Sequence, residues 1–189
     1  TEVYGMPVVV AINRHPTDTV AELELIQSCC AEQGVNAVLS EVWAKGGQGG
    51  IALAQEVLRL VEQPSELKFA YPTGASIKEA VEAVATRIYH ADGVDFAPAA
   101  LKQIAALEEN GYGHLPVCIA KTQYSFSDDP VKLGAPRGFR IAVREVKVSA
   151  GAGFVVVLAG SVMTMPGLPK VPAAEKIDVD ESGRITGLF

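Results

Sequence analysis

The sequence predicts an α/β protein in which a five-stranded, mainly parallel sheet with flanking helices is followed by a small, mainly antiparallel β-rich domain. Two observations lead to this fold class. Over residues 1–121, short apolar runs alternate with amphipathic segments long enough for helices, which is typical of βαβ units. Over residues 122–189, apolar and polar residues alternate instead, which is typical of antiparallel strands. We therefore expect two domains, 1–121 and 122–189.

The strands of the first domain are predicted from apolar, β-rich runs that turn residues bound. They are Met6–Ile12, Asn36–Leu39, Leu67–Ala70, Val94–Phe96 and Pro116–Ala120. Helices are predicted between these strands, and two of them open on a capping-box spacing, at Thr19 with Glu22 and at Ser76 with Glu79. Because ligands in such sheets bind beyond the carboxyl ends of the strands, the segments after the first, second and fifth strands are candidate binding loops.

The second domain is predicted from a strand whose apolar phase slips once. Phe139, Ile141 and Val143 alternate with other residues, and the alternation then moves to Val146 and Val148, as a β-bulge would produce. The remaining predicted elements are a turn over 149–153, a strand over 154–159, an apolar loop around Met163 and Met165, and a hairpin of 176–179 with 185–188.

Composition and charge exclude several classes of protein. The chain has 189 residues, of which 49% are hydrophobic and 20% charged, so it is too apolar for a disordered acidic tail. No run reaches the ~18 apolar residues of a membrane helix, and we expect a soluble protein with no membrane partner. The net charge of -6 argues against a nucleic-acid partner, although residues 121–148 carry six Lys or Arg against three Asp or Glu.

The cysteines and the first residues bear on the protein's location. Cys29, Cys30 and Cys118 are an odd number, and adjacent cysteines rarely pair with each other, so we expect a reducing cytoplasm. The first residues, 1–4, include no Met and form no signal-peptide pattern, so we interpret them as the start of a fragment.

Three segments are candidates for binding. His15 and Pro16 follow the first strand, and Trp43 follows the second, just before the glycine-rich stretch 46–50. That stretch could hold an anion or an amide edge, but it is neither a dinucleotide fingerprint nor a Walker A loop. Structural roles stay open for these segments, since Pro16 can delay helix entry and a tryptophan after a strand is often packed in the core.

The other candidates lie after the fifth strand. The polar cluster 121–130 is either a binding loop or a solvated linker, and the loop 133–139 has glycines that would let a flat ring lie on the backbone. His15, His90 and His114 stand at no metal-ligand spacing, so we expect no metal site.

Six phrases of the sequence resemble the C-terminal part of formate–tetrahydrofolate ligase, also called formyltetrahydrofolate synthetase. They are VVVAINRHPTDT (8–19), WAKGGQGG (43–50), AKTQYSFSDDP (120–130), LGAPRGFRI (133–141), VSAGAGFVV (148–156) and MTMPGLPKVPAAEKIDVDESGRITGLF (163–189). The resemblance implies a ligase that uses ATP with magnesium, formate and tetrahydrofolate to make 10-formyltetrahydrofolate through formyl phosphate. It also implies a homo-oligomer and a missing N-terminal part that holds the ATP phosphate loop.

The resemblance also implies roles for individual residues. Trp43 matches the family's tryptophan that stacks on the folate pterin ring, and His15 stands where the family usually has Phe on the opposite face, with Pro16 beside it. Ala135 and Pro136 match a family segment near the nucleotide. No catalytic residue and no tightly bound cofactor are expected in this fragment.

Two other classes of function are compatible with the sequence. One is a non-catalytic folate-binding or assembly module, which would keep Trp43 and need no nucleotide. The other is an unrelated Rossmann-like nucleotide enzyme, which the missing GxGxxG disfavours. A change in the fluorescence of Trp43 when folate is added would separate these two.

Overall fold

The computed structural model describes residues 1–162 and 170–187. The elements that concern the fold are, in chain order, β1 (Val9–Asn13), α1 (Val20–Glu32), β2 (Asn36–Ser40), α2 (Val42–Lys45), a 3-10 helix (Gly46–Gly50), α3 (Ile51–Val61), α4 (Ile77–Arg87), β3 (Val94–Phe96), α5 (Pro98–Glu109), β4 (Val117–Ala120), β5 (Ile141–Ser149), β6 (Phe154–Ala159), a second 3-10 helix (Ala173–Glu175), β7 (Asp178–Val179) and β8 (Ile185–Thr186). No helix in these described ranges is long and apolar enough to cross a bilayer.

The first unit is a βαβ arrangement around a two-stranded parallel sheet. Strands β1 and β2 pair in register from Val9 opposite Asn36 to Asn13 opposite Ser40. Helix α1 connects them and begins at the predicted capping box, in which the Thr19 hydroxyl accepts a hydrogen bond from the Glu22 backbone N–H. The parallel pairing brings the carboxyl ends of both strands to the same edge of the sheet.

The second sheet has four strands in the order β3-β5-β6-β4 and is mixed. Strands β5 and β6 form the predicted antiparallel hairpin, with the predicted irregularity between Val143 and Glu145. Each outer strand then pairs in parallel with one strand of the hairpin, β3 with β5 and β4 with β6. The β5–β6 hairpin, which was predicted to belong to the second domain, therefore forms the centre of this sheet. Its outer strands, β3 and β4, come from residues 1–121.

The prediction of one five-stranded sheet was wrong. The α/β class and the antiparallel pairing are confirmed, but the described strands form sheets of two, four and two. Residues 67–70 form no strand. The Lys68 N–H donates to the Tyr4 carbonyl oxygen, and the Arg87 guanidinium donates to the Ala70 carbonyl oxygen. The position of β6 explains the difference from the prediction. Because β6 is apolar along its whole length and mostly buried, it lies in the centre of the larger sheet, beside β4 and β5.

The core lies between this mixed sheet and helices α4 and α5. Its largest fully buried apolar side chains are Ile77, Val81, Ile141, Val143, Val155 and Val157. The predicted loop around Met163 and Met165, and the end of the last predicted strand at Leu188, lie outside the described residues. The small final hairpin is present as β7 and β8.

Candidate functional site

The first candidate site lies where β1 and β2 end. Asn13 and Ser40 are paired, so the residues that follow each strand leave the sheet side by side. The Arg14 N–H donates to the Ser40 carbonyl oxygen at 3.0 Å, which extends the contact past the strands. The segment 14–16 thereby faces the segment 41–45.

The rings of His15 and Trp43 face each other across these two segments. Their centroids are 6.2 Å apart and their planes are inclined by 25°. Trp43 is 73% exposed, so little of the indole is packed in the protein. The His15 loop is held by its own turn, because the His15 N–H donates to an Asp18 carboxylate oxygen at 2.6 Å and the imidazole Nδ1 lies 3.1 Å from the Thr17 hydroxyl.

These rings form two walls of a small cleft of about 180 Å³, which we call the His15–Trp43 cleft. It is lined by Arg14, His15, Pro16, Glu41, Trp43 and Ala44. Carbon atoms in van der Waals contact lie ~3.5–4.0 Å apart, so a flat ring held between two others needs ~7–8 Å. The two exposed rings would therefore move apart by ~1–2 Å to hold a flat ring between them.

Glu41 lines this cleft and forms ion pairs with two basic side chains. One carboxylate oxygen accepts from Arg14 Nη1 at 3.0 Å and the other from Lys45 Nζ at 2.5 Å. The hydrogen bond from Lys45, followed by the effect of Arg14, lowers the pKa of the Glu41 carboxyl below its usual range, and burial opposes this only in part. Glu41 is therefore ionised at neutral pH.

Gly49, in the glycine-rich stretch after Trp43, packs against the backbone of Glu41. The Glu41 N–H donates to the Gly49 carbonyl oxygen at 3.0 Å. A Cβ at Gly49 would lie 2.4 Å from the Glu41 carbonyl carbon and oxygen, whereas one at Gly47 would meet nothing within 4 Å. The close approach of two backbone segments is thus the observed role of Gly49 in this glycine-rich stretch.

The second candidate site is a groove of about 700 Å³ beyond the end of β4, which we call the 121–135 groove. Its lining includes Tyr89, Lys121, Tyr124, Phe126 and Ala135. The rings of Tyr89 and Phe126 stack at 6.0 Å, and Lys121 Nζ lies 5.0 Å from the Tyr89 ring centroid. The predicted partner of Ala135, the half-buried Pro136, follows it in the chain but does not line the groove.

Lys121 is the charged group of this groove. Its ammonium donates to the Thr122 carbonyl oxygen at 3.0 Å and to the Ser125 carbonyl oxygen. Burial lowers the pKa of Lys121, and the nearby Asp128 carboxylate acts in the opposite direction. The groove therefore combines aromatic faces with one partly desolvated cation.

A third cleft, of about 590 Å³, follows the outer side of β4. Tyr4, Tyr71, Tyr89 and Cys118 are among its lining residues, and the Val117 N–H donates to the Tyr71 hydroxyl at 3.2 Å. It is mainly apolar, and no Lys, Arg, Asp or Glu is among the residues that line it. None of the predicted binding residues lies there.

The structure brings His15, Pro16 and Trp43 together in one cleft and places Ala135 in another. Sequence reasoning missed Arg14 and Glu41, which line the first cleft. Their position was predictable, because both residues lie in the segments after the first two predicted strands, which were expected to be binding loops. Within the described ranges, no three His, Cys, Asp or Glu side chains are grouped so that they could hold a metal ion.

Comparison with known proteins identifies the family of this chain. The family model of formate–tetrahydrofolate ligase matches residues 1–189. A formate–tetrahydrofolate ligase from Symbiobacterium thermophilum is 61% identical over 189 residues, which are 100% of this chain and 34% of that relative. The chain thus spans about a third of the length of the curated relative it matches.

Proposed function

The chain belongs to the formate–tetrahydrofolate ligase family, and from this premise we propose that it is the folate-binding, C-terminal part of an ATP-dependent ligase. The complete enzyme would join formate to tetrahydrofolate and release 10-formyltetrahydrofolate, ADP and phosphate. The observation that carries the proposal is the His15–Trp43 cleft.

Two properties of the cleft support a flat heterocycle as its ligand. The indole of Trp43 is exposed, and an exposed ring of that size gains stability when an aromatic ligand covers it. His15 supplies a second flat face on the other side, nearly parallel to the first. Tetrahydrofolate would therefore place its pterin ring between them, next to Pro16.

In the proposed reaction, a formate oxygen attacks the terminal phosphorus of ATP, so that formyl phosphate and ADP form. The N10 nitrogen of tetrahydrofolate then attacks the formyl carbon, phosphate leaves, and N10 loses its proton. The role of this chain is to bind the pterin and thereby orient N10. The sequence contains no Walker A lysine loop for the phosphoryl transfer, and we infer that the chain alone makes no product.

The 121–135 groove is the proposed place of the nucleotide. A purine could lie against the backbone at Gly134 and Ala135, with Pro136 just outside, and the aromatic side chains of the groove offer further stacking surface. ATP would enter with magnesium, which its phosphates and the remainder of the enzyme would hold. The further family-based proposals are a homo-oligomer and a location in the cytoplasm.

The experiment compares the 189-residue chain with the full-length enzyme. Formation of 10-formyltetrahydrofolate from formate, ATP and tetrahydrofolate is expected only for the full-length enzyme, whereas calorimetry should detect tetrahydrofolate binding to both. ATP-dependent formylation by the chain alone would refute the inferred inactivity. Binding to neither would refute the folate site.

A further inference from the structure

Glu41 is the acidic residue among those that line the His15–Trp43 cleft. The two rings form walls of the cleft, and the Glu41 carboxylate pairs with Arg14 of the opposite segment, with 22% of the Glu41 side chain exposed. A flat ligand between the rings would therefore present one of its edges to this carboxylate.

The carboxylate has capacity left for such an edge. Arg14 and Lys45 each occupy one oxygen with one hydrogen bond. A carboxylate offers about four acceptor positions, so roughly two remain, one on each oxygen. The two cations keep the group ionised and fix its orientation, so it acts as a preorganised pair of acceptors.

The chemistry of the cleft defines the edge that would fit. Two parallel acceptors on a carboxylate match two parallel N–H donors, as in bidentate pairs between guanidinium and carboxylate groups. A 2-amino-4-oxopteridine presents that arrangement through its 2-amino group and its N3–H. A 2,4-dioxo heterocycle of the same shape would direct a carbonyl oxygen at the carboxylate instead.

We propose that Glu41 is the specificity-determining residue of the cleft and accepts hydrogen bonds from the 2-amino group and N3–H of the pterin. Arg14 and Lys45 are positioning residues, which act through the carboxylate. This inference rests on the proposed function and deepens it, because it states which edge of the folate is recognised.

The test uses tetrahydrofolate and 2-desaminotetrahydrofolate, in which hydrogen replaces the 2-amino group while the ring and tail remain. Calorimetry of the full-length enzyme should show the desamino compound binding about 10-fold more weakly, since a hydrogen bond to a charged group is lost. Glu41→Gln should weaken tetrahydrofolate binding and bring this ratio close to 1. The matched control is Glu56→Gln, because Glu56 is also paired with an arginine but lies on α3, outside the lining of the cleft.

The outcomes separate this inference from the proposed function. Equal binding of the two compounds to the unmodified enzyme overturns the role of Glu41. This measurement does not depend on whether the Glu41→Gln variant folds. A 10-fold ratio that survives Glu41→Gln, with an unchanged melting temperature, also overturns it, although the folate site stands. If tetrahydrofolate itself does not bind, both proposals fail.

Discussion

Replacing Gly49 with alanine tests whether the glycine-rich stretch serves the cleft by close packing. The added methyl carbon would lie 2.4 Å from the carbonyl carbon and oxygen of Glu41 and 2.8 Å from the nitrogen of Val42. Ordinary van der Waals contact begins at 3.4 Å. The Glu41 backbone would have to move by ~1 Å or more, and Trp43, two residues further on, would move with it.

The size of the effect follows from this overlap. Forcing an extra methyl group into a packed site costs about 1–3 kcal/mol, which for a chain of this length lowers the melting temperature by about 2–12 °C. Gly47 is the matched control, because its Cβ would meet nothing within 4 Å and its φ lies outside the left-handed region. Gly47→Ala is expected to be neutral or to stabilise by up to about 1 kcal/mol, since alanine restricts the unfolded chain.

The assay is thermal unfolding of both variants together with their tetrahydrofolate dissociation constants. Gly49→Ala should melt earlier and bind folate more weakly, whereas Gly47→Ala should do neither. Equal melting temperatures for the two variants, or weaker folate binding in Gly47→Ala alone, would refute the packing role of Gly49.

Three further predictions test the core, the cleft wall and the charge in the cleft. Ile141→Ala, at a fully buried site, should destabilise the fold by about 2–5 kcal/mol in denaturant unfolding, and the exposed Ile185→Ala should have little effect; similar losses would contradict the described core. His15→Phe should tighten tetrahydrofolate binding in calorimetry, because Phe is a larger apolar stacking face, and unchanged affinity would place His15 outside the site. The ion pairs with Lys45 and Arg14 lower the pKa of Glu41 in the folded protein, so they stabilise the fold above the ordinary pKa of 4.5 and lose this effect as the pH falls below that value. The difference in the free energy of unfolding between the unmodified chain and Glu41→Gln should therefore shrink in acid. A difference that stays constant with pH would contradict the pairing.

Local patterns in the sequence were sufficient to predict most elements. The capping boxes at Thr19 and Ser76 predicted the starts of α1 and α4, and apolar patterns predicted the longer helices and the β5–β6 hairpin. The short helix α2, which carries Trp43, was not predicted. Since β1 and β2 were predicted as consecutive parallel strands, the joint position of His15 and Trp43 beyond their ends was also predictable.

The order of strands in the larger sheet was not predictable in the same way. Alternation of apolar residues reports which face of a strand is buried, but it does not report which strand lies beside it. The outer strands β3 and β4 have three and four residues, too few to show where they pair. The sequence could place Arg14 and Glu41 after neighbouring strands, but only the three-dimensional structure shows that their side chains, 27 positions apart, form an ion pair.

The most direct test of the proposed folate site is Trp43→Ala in the full-length enzyme, with the melting temperature and the Michaelis constants for tetrahydrofolate and ATP measured together. Stacking of a flat ring on an aromatic side chain is worth roughly 1–3 kcal/mol, so the constant for tetrahydrofolate should rise about tenfold or more. The melting temperature should change little, because Trp43 is 73% exposed, and the constant for ATP should stay the same. The opposite result is a lower melting temperature with an unchanged Michaelis constant for tetrahydrofolate in the folded fraction. It would show that Trp43 contributes to the packing of the protein and does not bind folate.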